Sequence, residues 1–172
     1  MSSQDNNRAK NNSIRTNRLA TSAILATLAL MFSYVESMIP LSVTMPGIKL
    51  GVANLVVLVA LYKLDGRYAF GINLVRILIS GMLFSGLFGM IYSLAGGMLS
   101  LLVMCLLKKT DLFSVVGVSM AGGVAHNFGQ LLVASALVSD LRMFLYMPAL
   151  MFSGLASGIV IGYLAYYIIN RK

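Results

Sequence analysis

The sequence predicts an all-α integral membrane protein, a bundle of six transmembrane helices with both termini on the cytoplasmic side. Three observations lead there. The chain of 172 residues is 59% hydrophobic and only 10% charged, with a mean hydropathy of +0.88. A soluble domain of this size needs far more charge to cover its surface, so lipid must solvate the apolar runs. Those runs are long enough to span a bilayer, and short polar turns divide them. Lys and Arg, finally, gather beside the connections that a single orientation places on one side. At about 20 residues per span, the residues after the polar leader hold at most six or seven spans, leaving little room for a soluble domain.

Residues 1–18 are polar, Asn-rich and basic, with almost nothing apolar to bury, and read as a disordered cytoplasmic tail. Residues 19–172 form the membrane domain. The first span is expected at Leu19–Ile39 and ends at Pro40, which removes a backbone donor. A charged leader before an apolar run also resembles a signal peptide. The run is long, however, and no small-residue cleavage site follows it, so a retained helix is expected. After the loop LSVTMPGIK comes a short second span, Gly47–Tyr62, in which Lys49 must snorkel to the interface. The segment KLDGR, with Asp65-Gly66, is a turn.

The apolar run Tyr68–Leu107 has 40 residues, with Lys63 and Arg67 before it and Lys108 and Lys109 after it. If both flanks are cytoplasmic, the run crosses an even number of times. At ~1.5 Å per residue it fits two crossings of a ~30 Å core. A hairpin is expected near Ser85–Gly89. Span five is Phe113–Val138, SDLRM is a short external loop, and span six is Phe144–Ile169. Lys and Arg then number ten inside, two outside (Lys49 and Arg142) and one within a span (Arg76), the asymmetry that retains basic flanks in the cytoplasm. This placement accounts for the net charge of +8, and no nucleic-acid partner is expected.

Helices in lipid associate by close backbone approach, which small residues every fourth position permit. Span six carries Gly154, Gly158 and Gly162 at that spacing, and span five carries Gly117, Ala121, Ala125 and Gly129. Each stripe serves either packing within the bundle or docking of a partner membrane subunit. The single cysteine, Cys105, sits in an apolar run and reads as a small core residue.

Ionisable and amide side chains inside a span cost several kcal/mol, so each is a candidate for function. Arg76 lies near the middle of span three, with Asn73 and Ser80 on the same face. His126 and Gln130 are four apart on span five, beside Asn127, with Gly122 one turn earlier leaving space. Asn54 lies in the outer part of span two, Glu36 near the outer end of span one, and Lys49 at the start of span two. Counted along their helices, these residues occupy the middle and outer membrane and are expected to line one cavity open to the outside. Arginine offers a planar fork for carboxylate or phosphate, and His, Asn and Gln orient a ligand by hydrogen bonds. The set suits an anionic or polar heterocyclic small molecule. The plainer alternative makes Arg76–Glu36 a structural ion pair and His126, Asn127 and Gln130 interhelical glue. A lone histidine with no intramembrane carboxylate nearby argues against a proton relay.

No catalytic residue is expected. The chain has no Walker A pattern. One His and one Cys cannot form a zinc site by themselves. Its five acidic residues, at 5, 36, 65, 111 and 140, form no carboxylate pair. No cofactor is expected.

Several blocks carry a family resemblance: SYVESMIP (33–40), MPGIKLGVANLVVLVALY (45–62), LVRILISGMLF (74–84), SLAGGMLSLLVMCLLKK (93–109) and AHNFGQLLVA (125–134). They resemble the Gx transporter family, often labelled heptaprenyl diphosphate synthase component I, which is similar to the substrate-binding S components of energy-coupling factor (ECF) transporters. The resemblance implies a six-helix S component in the cell membrane. Such a protein captures a vitamin- or cofactor-like solute outside the cell and works with a transmembrane T component and two cytoplasmic ATPases. It also implies an alanine-rich T-component face on span one. Here Ala20, Ala23, Ala26 and Ala29 recur every three residues rather than every four. The label's other implication is an accessory role in isoprenoid synthesis. A catalytic role is not expected, because prenyl diphosphate synthases hold Mg²⁺–diphosphate on DDxxD motifs, and this chain has no Asp pair.

Overall fold

A computed structural model describes residues 3–38 and 51–171, which are all-helical, with no strand among them. Lys49, the loop LSVTMPGIK and the first residues of the expected second span lie outside the described residues.

Helix α1 runs from Ser3 to Met38. Neither glycine nor proline occurs before Pro40, so nothing in the local chemistry stops the helix early. It therefore continues through the segment expected to be irregular. Residues 10–20 are exposed throughout, and Thr16 and Thr21 return their hydroxyls to the carbonyls of Asn12 and Asn17, both at 2.9 Å. Burial begins only further along, where Leu25, Ala26 and Phe32 pack beside the fully buried Ala29.

Helix α2, Val52–Lys63, begins after Gly51, whose φ of 74° is left-handed and suits a residue without Cβ. Apart from Asn54 and the terminal Lys63 it is apolar all round, and its core residues from Leu55 to Leu61 are all buried, the pattern of a helix surrounded by others. Its 12 residues rise only ~18 Å, less than a ~30 Å hydrocarbon core. Helix α1, the next helix and the last one pack around it, with a smaller contact from Gly86–Thr110. At its carboxyl end, Lys108 Nζ donates to Leu61 O at 2.7 Å and stands 4.9 Å over the Tyr62 ring.

The KLDGR turn is present. Asp65 accepts from the Gly66 N–H at 2.6 Å and opens α3, Gly66–Ser80. A π-helical turn, Gly81–Ser85, leads into α4, Gly86–Thr110, with Gly86 at φ 68°. Together these elements make one apolar helical stretch of 45 residues, yet the chain doubles back. Asn73 Nδ2 donates to Gly97 O at 3.0 Å, and a Cβ on Gly81 would lie 2.6 Å from Met90 Cβ. Residue pairs 24 and 9 apart thus meet, so α3 and α4 are antiparallel. The reversal falls at 81–86, slightly ahead of the expected Ser85–Gly89.

Asp111, in the left-handed region, ends α4, and Ser114 caps α5, Val115–Val138, by accepting from the Gly117 N–H at 3.2 Å. The SDLRM segment forms a turn in which Asp140 accepts from the Arg142 N–H at 2.8 Å. A short 3₁₀ stretch, Leu141–Tyr146, follows. Helix α6, Met147–Asn170, carries Pro148 in its first turn, where the missing N–H costs nothing.

Antiparallel packing of α5 on α6 accounts for the span-six glycine stripe. A Cβ on Gly158 would stand 2.6 Å from Met120 Cα, and one on Gly162 would stand 2.7 Å from Val116 Cα. Gly123 and Gly154 face each other backbone to backbone. The stripe of span five behaves differently. Gly129 seats α5 against Ala95 O, whereas Gly117 meets only nearby Ser114 and Phe113. Large side chains such as Met82, Leu83, Phe152 and Tyr163 are exposed on the outside of the bundle, as expected where lipid rather than water surrounds it. Four helical stretches among the described residues are long and apolar enough to cross a membrane: Lys10–Met38, Gly66–Thr110, Val115–Val138 and Leu141–Asn170.

Candidate ligand-binding cavity

All six helices and the π-helical turn border an internal cavity of about 300 Å³. It runs from the carboxyl-terminal parts of α1 and α3 and the start of α2 down to Met104, Ser119 and Ile161 in the middle of the bundle. At one border, Phe84 of the turn packs edge-on against Tyr34 of α1, with ring centroids 5.6 Å apart.

Arg76 is the charged centre of the wall. Its place on α3 turns it inward, and only 7% of it is exposed. Nη2 donates to Asn73 Oδ1 at 2.7 Å and reaches Asn54 Oδ1 at 3.4 Å, while Nη1 reaches Ser33 Oγ at 3.4 Å. Nε is buried without a hydrogen-bond partner. A charge-assisted N–H···O bond is normally near 2.7–2.9 Å, so only the Asn73 contact is tight. Arg76 thus binds the amides and hydroxyl around it, not Glu36. Glu36 Oε1 accepts from the Val52 N–H at 2.7 Å and so caps α2 from the neighbouring helix.

Of the residues expected to line a cavity, Glu36, Asn54, Arg76, His126 and Asn127 border this one. Asn127 is also a tie between helices, its Nδ2 donating to Leu150 O at 2.7 Å. Asn73 and Gln130 stand behind the wall. Asn73 is 1% exposed and links Arg76 to the α4 backbone at Gly97. Gln130 is buried against Gly96, and its Oε1 has no hydrogen-bond partner. Lys49 lies outside the described residues.

Apart from Ser80, the sequence reading missed the serines. Eight border the cavity, drawn from α1, α3, the turn, α4, α5 and α6. Each helix contributes only one or two, so no helical stripe announces them. Several donate to their own helix: Ser33 to Ala29 O at 2.9 Å, Ser80 to Ile77 O at 3.2 Å and Ser157 to Gly154 O at 3.2 Å. Ser100 and Ser119 are buried in the deep part of the cavity. Such a wall offers hydrogen bonds and one cation to a small polar molecule. Among the described residues it assembles no group of three His, Cys, Asp or Glu side chains.

Residues 25–168 match the family described as heptaprenyl diphosphate synthase component I. No curated protein and no solved structure matches the chain. Every cavity residue named above falls inside the matched segment, and the match covers most of the sequence: the chain belongs to the heptaprenyl diphosphate synthase component I family.

Proposed function

We propose that this protein is the membrane-embedded, substrate-binding subunit of an importer of the energy-coupling-factor type, taking up a small polar solute. The observation that carries this reading is the internal cavity of about 300 Å³ with the under-bonded Arg76 in its wall. A volume of this order lies at the small end of the range for small-molecule sites. A buried guanidinium with spare donors is costly unless a ligand completes it. The block resemblance to S components supports the same reading, as does the absence of a P-loop, which leaves ATP hydrolysis to partner subunits.

The topology that serves this function has six crossings, α3 and α4 forming the third and fourth, with both termini in the cytoplasm. The basic residues beside Lys63, Lys108 and Arg171 then face inward, and the Glu36–Phe84 end of the cavity faces outward. The partners are a T component and two ATPases, in the cell membrane. Tagged protein from native membranes should bring down T and ATPase subunits, and vesicles holding the full set should accumulate solute when ATP is present. Recovery of the chain alone, with no ATP-driven accumulation, would sink this assignment.

A second reading rests on the family's own description, whose wording implies a further component: an accessory, non-catalytic membrane subunit in heptaprenyl diphosphate synthesis. It predicts that membranes lacking the chain lose prenyl diphosphate synthesis and regain it when the chain is restored. The importer predicts no direct effect in that assay.

A further inference from the structure

We propose that the cavity selects a hydroxylated monocarboxylate, with the carboxylate on Arg76 and the hydroxyls on the serine wall. The inference rests on the cavity being a solute site and names the chemistry of its occupant.

The head group follows from charge. Among the described lining residues, Arg76 is the side chain that holds a fixed positive charge, and Glu36 shares the cavity. One guanidinium offers five N–H donors in a planar fork. Here three contacts are made, two of them at 3.4 Å, and Nε has none. Nε is buried away from the cavity, so a carboxylate would take its two short bonds from Nη1 and Nη2, in place of the 3.4 Å contacts to Ser33 and Asn54. Arg76 and Glu36 balance each other, so every charge on the ligand is in excess: one for a monocarboxylate, two for a phosphate dianion and more for a diphosphate. The smallest excess costs least to bury at low dielectric, which favours the monocarboxylate among anions that can use the fork.

The body follows from the direction of the hydroxyls. Ser33, Ser80 and Ser157 have given their protons to helix carbonyls. They therefore present oxygen lone pairs to the cavity, and a complementary ligand must supply O–H or N–H donors. Ser100 and Ser119 add two more hydroxyls in the deep part. Phe84 and His126 are the rings among the described lining residues, and Phe84 is engaged edge-on with Tyr34.

The test is thermal unfolding of the purified full-length protein in detergent. Cys105, the single cysteine, reports unfolding through a thiol-reactive fluorophore. The probes, at millimolar concentration, are glycerate and gluconate, their uncharged counterparts glycerol and glucitol, and inorganic phosphate and pyrophosphate. The hydroxy-carboxylates should raise Tm and the other four should not. Arg76→Gln should abolish the response. Arg76→Lys, which keeps the charge and so guards against misfolding, should weaken the apparent Kd about tenfold by losing the fork. The Ser100→Ala/Ser119→Ala pair should weaken gluconate binding about fivefold.

A pyrophosphate response equal to the carboxylates', equal stabilisation by the uncharged polyols, or no response to either carboxylate would overturn the proposal. Carboxylate binding without partner subunits or uptake would keep the ligand class and remove the importer. ATP-driven uptake of a phosphorylated solute would do the reverse.

Discussion

Along the seam between α5 and α6, Gly123, Gly154, Gly158 and Gly162 bring two backbones together with no room for a Cβ. Beside that seam, Ser33, Ser80 and Ser100 stand around a cavity of about 300 Å³, which Gly123 and Gly158 also border. Both regions are made of small residues within apolar helices. In the seam each glycine faces a backbone, so a small side chain means contact. Around the cavity the small residues border a common space, so a small side chain means room. The effect of a small residue in a membrane bundle therefore depends on what lies opposite, which its own helix does not specify.

That contrast can be broken by substitution. The largest expected effect is in the seam. Gly158→Leu forces a side chain against the Met120 backbone, where neither partner can yield, and should cost about 3 kcal/mol or more. Loss of a monodisperse gel-filtration peak would show it, and a well-folded variant would mean that the seam is looser than described. Next comes the cavity. Arg76→Gln should lower solute retention roughly 10- to 100-fold, the worth of one or two charge-assisted bonds, while the protein elutes normally. Asn127→Ala removes the tie to Leu150 O and should destabilise by only ~0.6 kcal/mol, the average for such bonds between membrane helices. A thermal-melt comparison with wild type would measure it. The smallest effect is expected at Ala20 and Ala23, exposed on α1. Replacing either with Leu should change stability by less than about 0.5 kcal/mol. If that face docks a T component, the same variants should lose the partner on co-purification.

Much of the fold was legible because lipid imposes simple rules. Apolar runs, basic flanks and the Asp65-Gly66 and SDLRM turns located the helices. The flank argument for residues 68–107 anticipated the reversal that Asn73–Gly97 contact reveals. The long extension of α1 was not legible. Its polar composition signals little burial, but composition does not terminate a helix, and no breaker precedes Pro40.

The candidate site divides in the same way. That Asn73 shares a face with Arg76 follows from a spacing of three, and the two do bond at 2.7 Å. That Asn73 also turns to the α4 backbone, behind the cavity, depends on the neighbouring helix. Gln130 was paired with His126 by a spacing of four, yet Gly96 of α4 draws it behind the wall. Ser80 was legible from its spacing to Arg76, but the other serines were not, because six elements contribute them singly or in pairs and their convergence exists only in the folded bundle.

The central claim is that Arg76 and the wall around it hold a solute. It is tested most directly by mass spectrometry of small molecules released from wild-type and Arg76→Gln protein, purified identically from native membranes. The account predicts one species near stoichiometric with the wild-type chain and depleted at least about tenfold in the variant, at equal protein recovery. The same molecule in equal amount from both proteins, or no bound species in the wild type, would contradict it.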